Sequence, residues 1–449
     1  MALKHLAIAA MLALLAACSS VEVQPRASTA PLRNSDFAEA QALARDHAGL
    51  SGQARADIAA RIEALLARLD NGELSRGAAN LEEGDPLYTF AGRALLNRGL
   101  PLPRAFDRSE WRFDAAGRPS ADRDGYRPPM KVALLLPFSG SQASAAAAVR
   151  DGFLAGYYGE RRRRPEVRFY DTAAGTGAAY SRAVAEDNDF VVGPLGREEV
   201  DVVFANDAPP VPMLALNRGS RTPPAGSAGF SLSPEDEGIT AAEYLLEKGA
   251  RRVLLVAGNE DGQRRASNAL QDRLRQRGAQ VVARVDESAA ALLEIPPDAR
   301  VDAVFLALKG PQARALAPHL NVAGLTGVPR VATSQIVSGT GKVSEDILLD
   351  GILFPTETWG VHGVAGLPSL ASVASRVDTA KGAAARLFAF GFDAWLVTAY
   401  LERLALSANA DVAGATGRLS LDGTGNVLRR PSWSRFSGGV PVPLADDAR

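Results

Sequence analysis

Residues 131–171, KVALLLPFSGSQASAAAAVRDGFLAGYYGERRRRPEVRFYD, decide the fold. The opening run from Val132 to Leu136 is continuously apolar, the pattern of a strand covered on both faces. An amphipathic helical stretch follows near 143–158, and EVRFYD at 166–171 returns to strand character. The alternation continues with a helix near 176–186, DFVVGP (189–194), a helix near 196–206 and VPMLAL (211–216). A second series runs from helix 234–248 through RRVLLVAG (251–258), helix 261–277, AQVVARV (279–285) and VDAVFLAL (301–308). It ends with helix 311–320, PRVATS (329–334) and DGILFP (350–355). Such alternation predicts an α/β protein with two doubly wound parallel sheets, hence two lobes and a cleft. Ligands of such sheets meet the loops at the carboxyl ends of the strands. GRLSLD-GTG-NVLRR (417–430) reads as a β-hairpin with a Gly-rich turn.

Upstream, Lys4 precedes an apolar run, Leu6 to Leu15, of signal-peptide length and too short to span a bilayer. It ends in Leu15-Ala16-Ala17-Cys18, similar to a lipobox, so residues 1–17 read as a leader and Cys18 as the lipid attachment. A three-chain anchor holds permanently where one chain holds marginally. Lipoproteins of this kind are kept at the inner membrane by Asp after the cysteine; Ser19 points to the outer membrane, facing the periplasm. Cys18 is the single cysteine, which excludes an intramolecular disulfide, a CxxC pair and a thiolate zinc site. No other apolar run reads as long enough to span a membrane. The net charge of −1 becomes −2 when Lys4 leaves, no footprint for nucleic acid.

Residues 18–35 read as a flexible tether. Asp36 is placed to cap a helix, and apolar spacing from Phe37 to Leu69 predicts a helical hairpin that ends in an Asn71-Gly72 turn. The rest of 36–130 is irregular, with a linker at 115–130. The two-lobed domain is expected over 131–444: lobe 1 about 131–232 plus C-terminal segments, lobe 2 about 233–355.

The segments 132–158, DFVVGPLGREEVDVVF (189–204), VPMLALNR (211–218) and GATGRLSLDGTGNVLRRPSWSRF (414–436) resemble the penicillin-binding protein activator lipoproteins. The resemblance covers about 131–444 and implies a type I periplasmic-binding-protein fold behind a small helical N-terminal region. It also implies binding of a class A penicillin-binding protein and stimulation of peptidoglycan synthesis. Better-known members carry a longer helical N-terminal domain; here about 95 residues lie between tether and first strand.

The alternative is a solute-binding lipoprotein of an ABC transporter for amino acids or similar small molecules, which shares the fold and needs donors preorganised in its cleft. Ser139-Gly140-Ser141 after the first strand reads either as an anion site at a helix N-terminus or as a cap and tight turn. The third-strand loop offers Gly193-Pro194-Leu195, without a proline N–H or a hydroxyl. The fourth offers Leu216-Asn217-Arg218, read as strand caps or lobe contacts. This favours a partner-binding scaffold. Asp393, an acid on an apolar helix, is expected to face the cleft, cap a helix or bridge the lobes.

Catalytic and cofactor signals are absent from the sequence. His47, His319 and His362 lack metal-ligand spacing, and no GxSxG or GxGxxG motif is present. Ser338-Gly339-Thr340-Gly341-Lys342 lacks the first glycine and the final hydroxyl of a phosphate loop and reads as a flexible loop over the cleft. Glu198-Glu199 and Asp236-Glu237 fall in first helical turns, where the macrodipole accounts for them. Arg161 to Arg164 reads as a solvated loop or as a site for an anionic partner. Trp359 is the expected surface anchor, Trp433 a second candidate and Trp395 core.

Overall fold

A computed structural model describes residues 35–444 except 51, 110, 112, 114–116, 207, 289 and 296–298. The leader, Cys18 and Ser19 lie outside the described residues.

Four helices open the fold: α1 (Ser35–His47), α2 (Gly52–Arg68), α3 (Asn71–Asn80) and α4 (Leu87–Asn97). Asn71-Gly72 is therefore the start of a helix and not a closing turn. Asp70 caps α3: its carboxylate accepts from the Glu73 amide at 2.7 Å, and the Glu73 carboxylate accepts from the Asp70 amide at 3.0 Å. That reciprocal box satisfies two amide donors and overrides the turn preference of Asn-Gly. Asp36 lies inside the first turn of α1, not ahead of it.

The first sheet comprises β1 (Lys131–Leu136), β2 (Glu166–Asp171), β3 (Phe190–Val192), β4 (Met213–Ala215) and β5 (Ala228–Gly229), in the order β2-β1-β3-β4-β5, all parallel. Its helices are α5 (Ala143–Gly159), α6 (Thr176–Ala185) and α7 (Arg197–Val203). Both faces are buried, as the continuous apolar run requires. Val132, Leu134 and Leu136 pack with Phe153 and Trp395, while Ala133 and Leu135 pack with Tyr170 and Val191.

Helix α8 (Pro234–Glu247) enters the second lobe, followed by β6 (Arg252–Ala257), α9 (Asp261–Gln276), β7 (Gln280–Val285) and β8 (Ala303–Ala307). Then come α10 (Gly310–Val322), β9 (Arg330–Ala332), the short α11 (Val343–Asp346) and β10 (Leu353–Thr356). Two further short helices, α12 (Thr358–Val361) and α13 (Leu370–Ala374), lead into the long α14 (Ala384–Leu406). The chain closes with a three-stranded antiparallel sheet of β11 (Val412–Ala413), β12 (Arg418–Leu421) and β13 (Val427–Arg430), then β14 (Ser432–Ser437) and β15 (Val440–Pro443). The last two strands add antiparallel to the second sheet, ordered β15-β14-β10-β9-β8-β6-β7. The C-terminal segments thus serve both lobes: α14 and the hairpin complete the first core, and β14 and β15 extend the second sheet.

Helix α14 is long and apolar enough to cross a membrane by length and composition, against the reading of the sequence, yet two-thirds of its apolar window is buried in the protein. It crosses α5 at backbone contact distance. A Cβ on Gly152 would lie 1.8 Å from the Phe388 carbonyl oxygen, and one on Gly391 1.9 Å from that of Val149. Only glycine permits that approach.

Candidate functional site

The loops after β4 and β9 come together with the start of α8, where the chain crosses between lobes. On the first-lobe side, Ser139, Gly140 and Ser141 are exposed; Gly140 adopts φ 79° in a tight turn, and the residue preceding α5 is Gln142, so neither serine is its cap. The third and fourth strand loops are tied to each other. The Leu216 amide donates to the Pro194 carbonyl at 3.0 Å, and the Asn217 side-chain amide donates to the Leu195 carbonyl at 2.8 Å. The Leu216 amide and the Asn217 side-chain amide are thus spent between these loops.

Arg218 forks onto Asp236, in the first turn of α8, at 3.2 and 3.1 Å. This pair runs from the first lobe to the second. Its partners are 31% and 34% exposed, so it contributes at most about 1 kcal/mol.

Beneath it lies a charge cluster that sequence reasoning missed. Glu237 is buried and accepts from the Ser334 amide at 2.9 Å and the Ser334 hydroxyl at 2.8 Å. Arg386 of α14 donates to Glu237 and to the Ser334 hydroxyl, and its Nε lies 3.0 Å from Glu357. Arg429 of β13 approaches Glu237 at 4.0 Å and donates to the Thr416 carbonyl at 3.1 Å. Burial alone pushes the Glu237 carboxyl up; the Arg386 and Arg429 charges outweigh it and hold the group below its ordinary value. Burial and the neighbouring Arg386 charge lower Arg429. Glu237 does lie in the first turn of α8, as expected, and it also forms a buried, lobe-crossing ion pair that the macrodipole reading did not include. The signal was its helical phase, since Glu237, Ala241 and Leu245 recur every fourth residue on one buried face.

Asp393 is fully buried within the first lobe and does not bridge the lobes. Its carboxylate accepts from the amides of Ala415 and Thr416, the latter at 2.8 Å, and from the Thr416 hydroxyl at 2.6 Å, which fastens α14 to the loop before β12. Burial pushes it up to about 7 against the pull of those hydrogen bonds.

Of the two candidate tryptophan anchors, Trp359 is corrected. Trp359 is 3% exposed, stacks on Phe388 at 5.4 Å and donates its indole N–H to the Pro368 carbonyl at 2.8 Å. Trp433 is half-buried on β14 and stacks on Tyr244 at 4.2 Å. Trp395 is core, against Phe153 and Tyr157.

Within the arginine run, Arg162 and Arg163 are tied to the fold, while Arg161 and Arg164 are exposed. Arg162 covers the Tyr126 ring at 3.7 Å and pairs with Glu160 and Asp124; Arg163 donates to the carbonyls of Pro128 and Pro129. The Ser338–Lys342 loop is pinned: buried Asp346 accepts from the Gly341 amide at 2.6 Å and the Lys342 amide at 3.0 Å. Among the described residues no group of three or more His, Cys, Asp or Glu is placed to hold a metal ion.

A family model described as "LppC putative lipoprotein" matches residues 126–294 and 269–439. Among curated relatives, the penicillin-binding protein activator LpoA of Photobacterium profundum is 28% identical over 356 residues, 70% of this chain and 57% of that protein. LpoA of Vibrio antiquarius is 27% identical over 351 residues, 68% and 57%. This chain spans less than two thirds of the length of those relatives. Of solved structures, the LpoA C-domain of Haemophilus influenzae, described as a regulator of PBP1A, superposes with TM-score 0.60 at 22% identity, covering 70% of this chain and 100% of that one. Full-length LpoA from Haemophilus influenzae gives 0.63 at 20% identity, covering 92% and 79%. A "putative branched-chain amino acid ABC transporter" from Chromobacterium violaceum gives 0.56 at 26%, covering 68% and 100%.

Proposed function

Because the chain belongs to the LppC lipoprotein family, we propose that it is an outer-membrane lipoprotein, facing the periplasm, that binds and activates a class A penicillin-binding protein. In this reading Cys18 carries the lipid, Ser19 directs the protein to the outer membrane, and the two-lobed domain regulates peptidoglycan synthesis, and with it cell shape, without catalysis of its own.

The observation that carries the reading is the filled junction between the lobes. A small-molecule receptor keeps donors free in its cleft. This chain instead closes Glu237, Ser334, Arg386, Glu357 and Arg429 upon one another, and spends Asn217 and Arg218 on Leu195 and Asp236. A fold built for closure around a ligand is held together by its own charges. That suits a scaffold whose outer surface meets a protein.

Activation requires tighter binding to the active state of the synthase than to the inactive one, since a partner shifts an equilibrium only by its differential affinity. The test measures glycan polymerisation and crosslinking by purified class A synthases with and without this protein. Stimulation with saturable binding is expected; neither binding nor stimulation across the class A synthases of the source organism sinks the reading. A thermal shift with an amino-acid panel, at micromolar affinity, would favour the receptor alternative.

A further inference from the structure

The helical N-terminal region does more than lead into the first strand: it touches both lobes. Its second-lobe end is the C-terminus of α2, which packs on α9. Carbonyls at a helix C-terminus lack intrahelical partners. Here Arg277, the residue that ends α9, donates to those of Ala67 and Leu69, at 3.2 Å each. Arg98, at the end of α4, donates to the same edge: Leu66 at 2.9 Å, Ala67 at 3.2 Å and Leu69 at 2.8 Å. Burial, with the charges of Arg277 and Arg273 beside it, lowers the Arg98 guanidinium to about 9.

The first-lobe end begins on α4, which Arg98 terminates. Arg93 of α4 lies 3.2 Å from the buried Asp422 carboxylate in the hairpin turn, and Arg108 donates to the Asp422 carbonyl. The Leu102 amide donates to Asn409 at 2.8 Å. That hairpin belongs to the first lobe, since Leu419, Leu421 and Val427 share its core with Val132 and Leu134. The path from Arg277 to Asp422 thus runs through α2, Arg98 and α4 as packed helix and buried hydrogen bonds.

We propose that residues 52–108 form a brace that fixes the angle between the two lobes. Opening the cleft moves α9 relative to the 418–430 hairpin, so it must break one end of this path. The chain crosses between lobes near 230–233, 356–358 and 430–432, and those segments report any opening.

Hydrogen–deuterium exchange on the full chain tests the brace. Arg277→Ala cuts the second-lobe end; Arg93→Ala with Arg108→Ala cuts the other. Either variant is expected to speed exchange at the crossings by about fivefold or more, including the Phe230 and Trp359 amides, while β1 and β6 stay protected. Arg275→Ala, an exposed neighbour paired within its own helix to Asp272, serves as the control and is expected to change nothing. Unchanged crossings in either cut variant, acceleration spread equally over β1 and β6, or the same response in the control overturns the proposal. If Arg277→Ala does not fold, Arg277→Gln, which keeps the side-chain body and one donor group, is read by the same criteria.

Discussion

Removing the Glu237 carboxylate gives the sharpest check on the lobe junction. The group accepts two hydrogen bonds from Ser334, pairs with Arg386, and has Arg429 at 4.0 Å. Glu237→Ala leaves the Arg386 and Arg429 guanidinium groups, with side chains 21% and 7% exposed, short of a counter-charge, and breaking a buried pair from one side costs about 3–5 kcal/mol. Glu237→Gln keeps an acceptor for Ser334 and loses only the charge, so about 1.5–3 kcal/mol is expected. Urea unfolding at pH 7, followed by tryptophan fluorescence, measures both, with an unchanged slope marking a pure stability change. The pH dependence adds an independent arm. The folded Glu237 pKa is depressed, so its contribution is present above the unfolded value of about 4.3 and is lost as pH falls through the folded value. The wild type should therefore lose stability on acidification below about pH 4.5 more steeply than Glu237→Gln. A loss under about 1 kcal/mol for Glu237→Ala, the range of screened surface pairs, would refute a buried junction.

Three further outcomes follow from single contacts. Gly391→Ala places a methyl 1.9 Å from the Val149 carbonyl oxygen, so circular dichroism and thermal melts should show a severely destabilised or unfolded chain; Gly360→Ala, whose nearest neighbour is 3.8 Å away, should melt within about 1 °C of wild type. Asp393 has a folded pKa of about 7, raised above an unfolded value of about 3.9, so its contribution is full below the unfolded value and declines as pH rises through 7. At most about 4 kcal/mol rides on that span, and Asp393→Asn should flatten the decline between pH 4 and 7 in urea titrations. Trp359→Ala should cost about 3–5 kcal/mol in chemical unfolding, as core truncations do.

The strands and helices of the two lobes were legible because their signals are local. A doubly covered strand must be apolar at every position, so Val132–Leu136 and Val253–Ala257 stand out without knowledge of their neighbours. The failures share a cause. Asn71-Gly72 has the composition of a turn, but the Asp70–Glu73 box, whose residues are both in the sequence, outweighs it. Trp359 lies in a loop-like segment and is buried because the chain brings residues distant in sequence against it, among them Phe388 of α14 and Ala415. The junction was the least legible part: Glu237 and Arg386 lie 149 positions apart, and no periodicity relates them. The phase of α8 could have put Glu237 on a buried face, but its partners follow only from the topology.

The brace and the filled junction act in the same direction. A receptor gains signal from closure, so its lobes must move at little cost, and strong contacts across the cleft work against that purpose. A docking scaffold gains from the opposite property, because a surface already in its bound shape loses less conformational freedom on association. In this chain Glu237 ties α8 to α14 from within, Arg277 ties α9 to the N-terminal helices from outside, and Arg93 and Arg108 tie those helices to the hairpin. Each tie crosses between lobes or completes a path that does. If the proposed function holds, weakening any of them should reduce synthase affinity in proportion to the added lobe motion, even though none needs to touch the partner. A variant with fast exchange at the crossings and undiminished synthase affinity would separate rigidity from activation and leave the outer surface alone to account for binding.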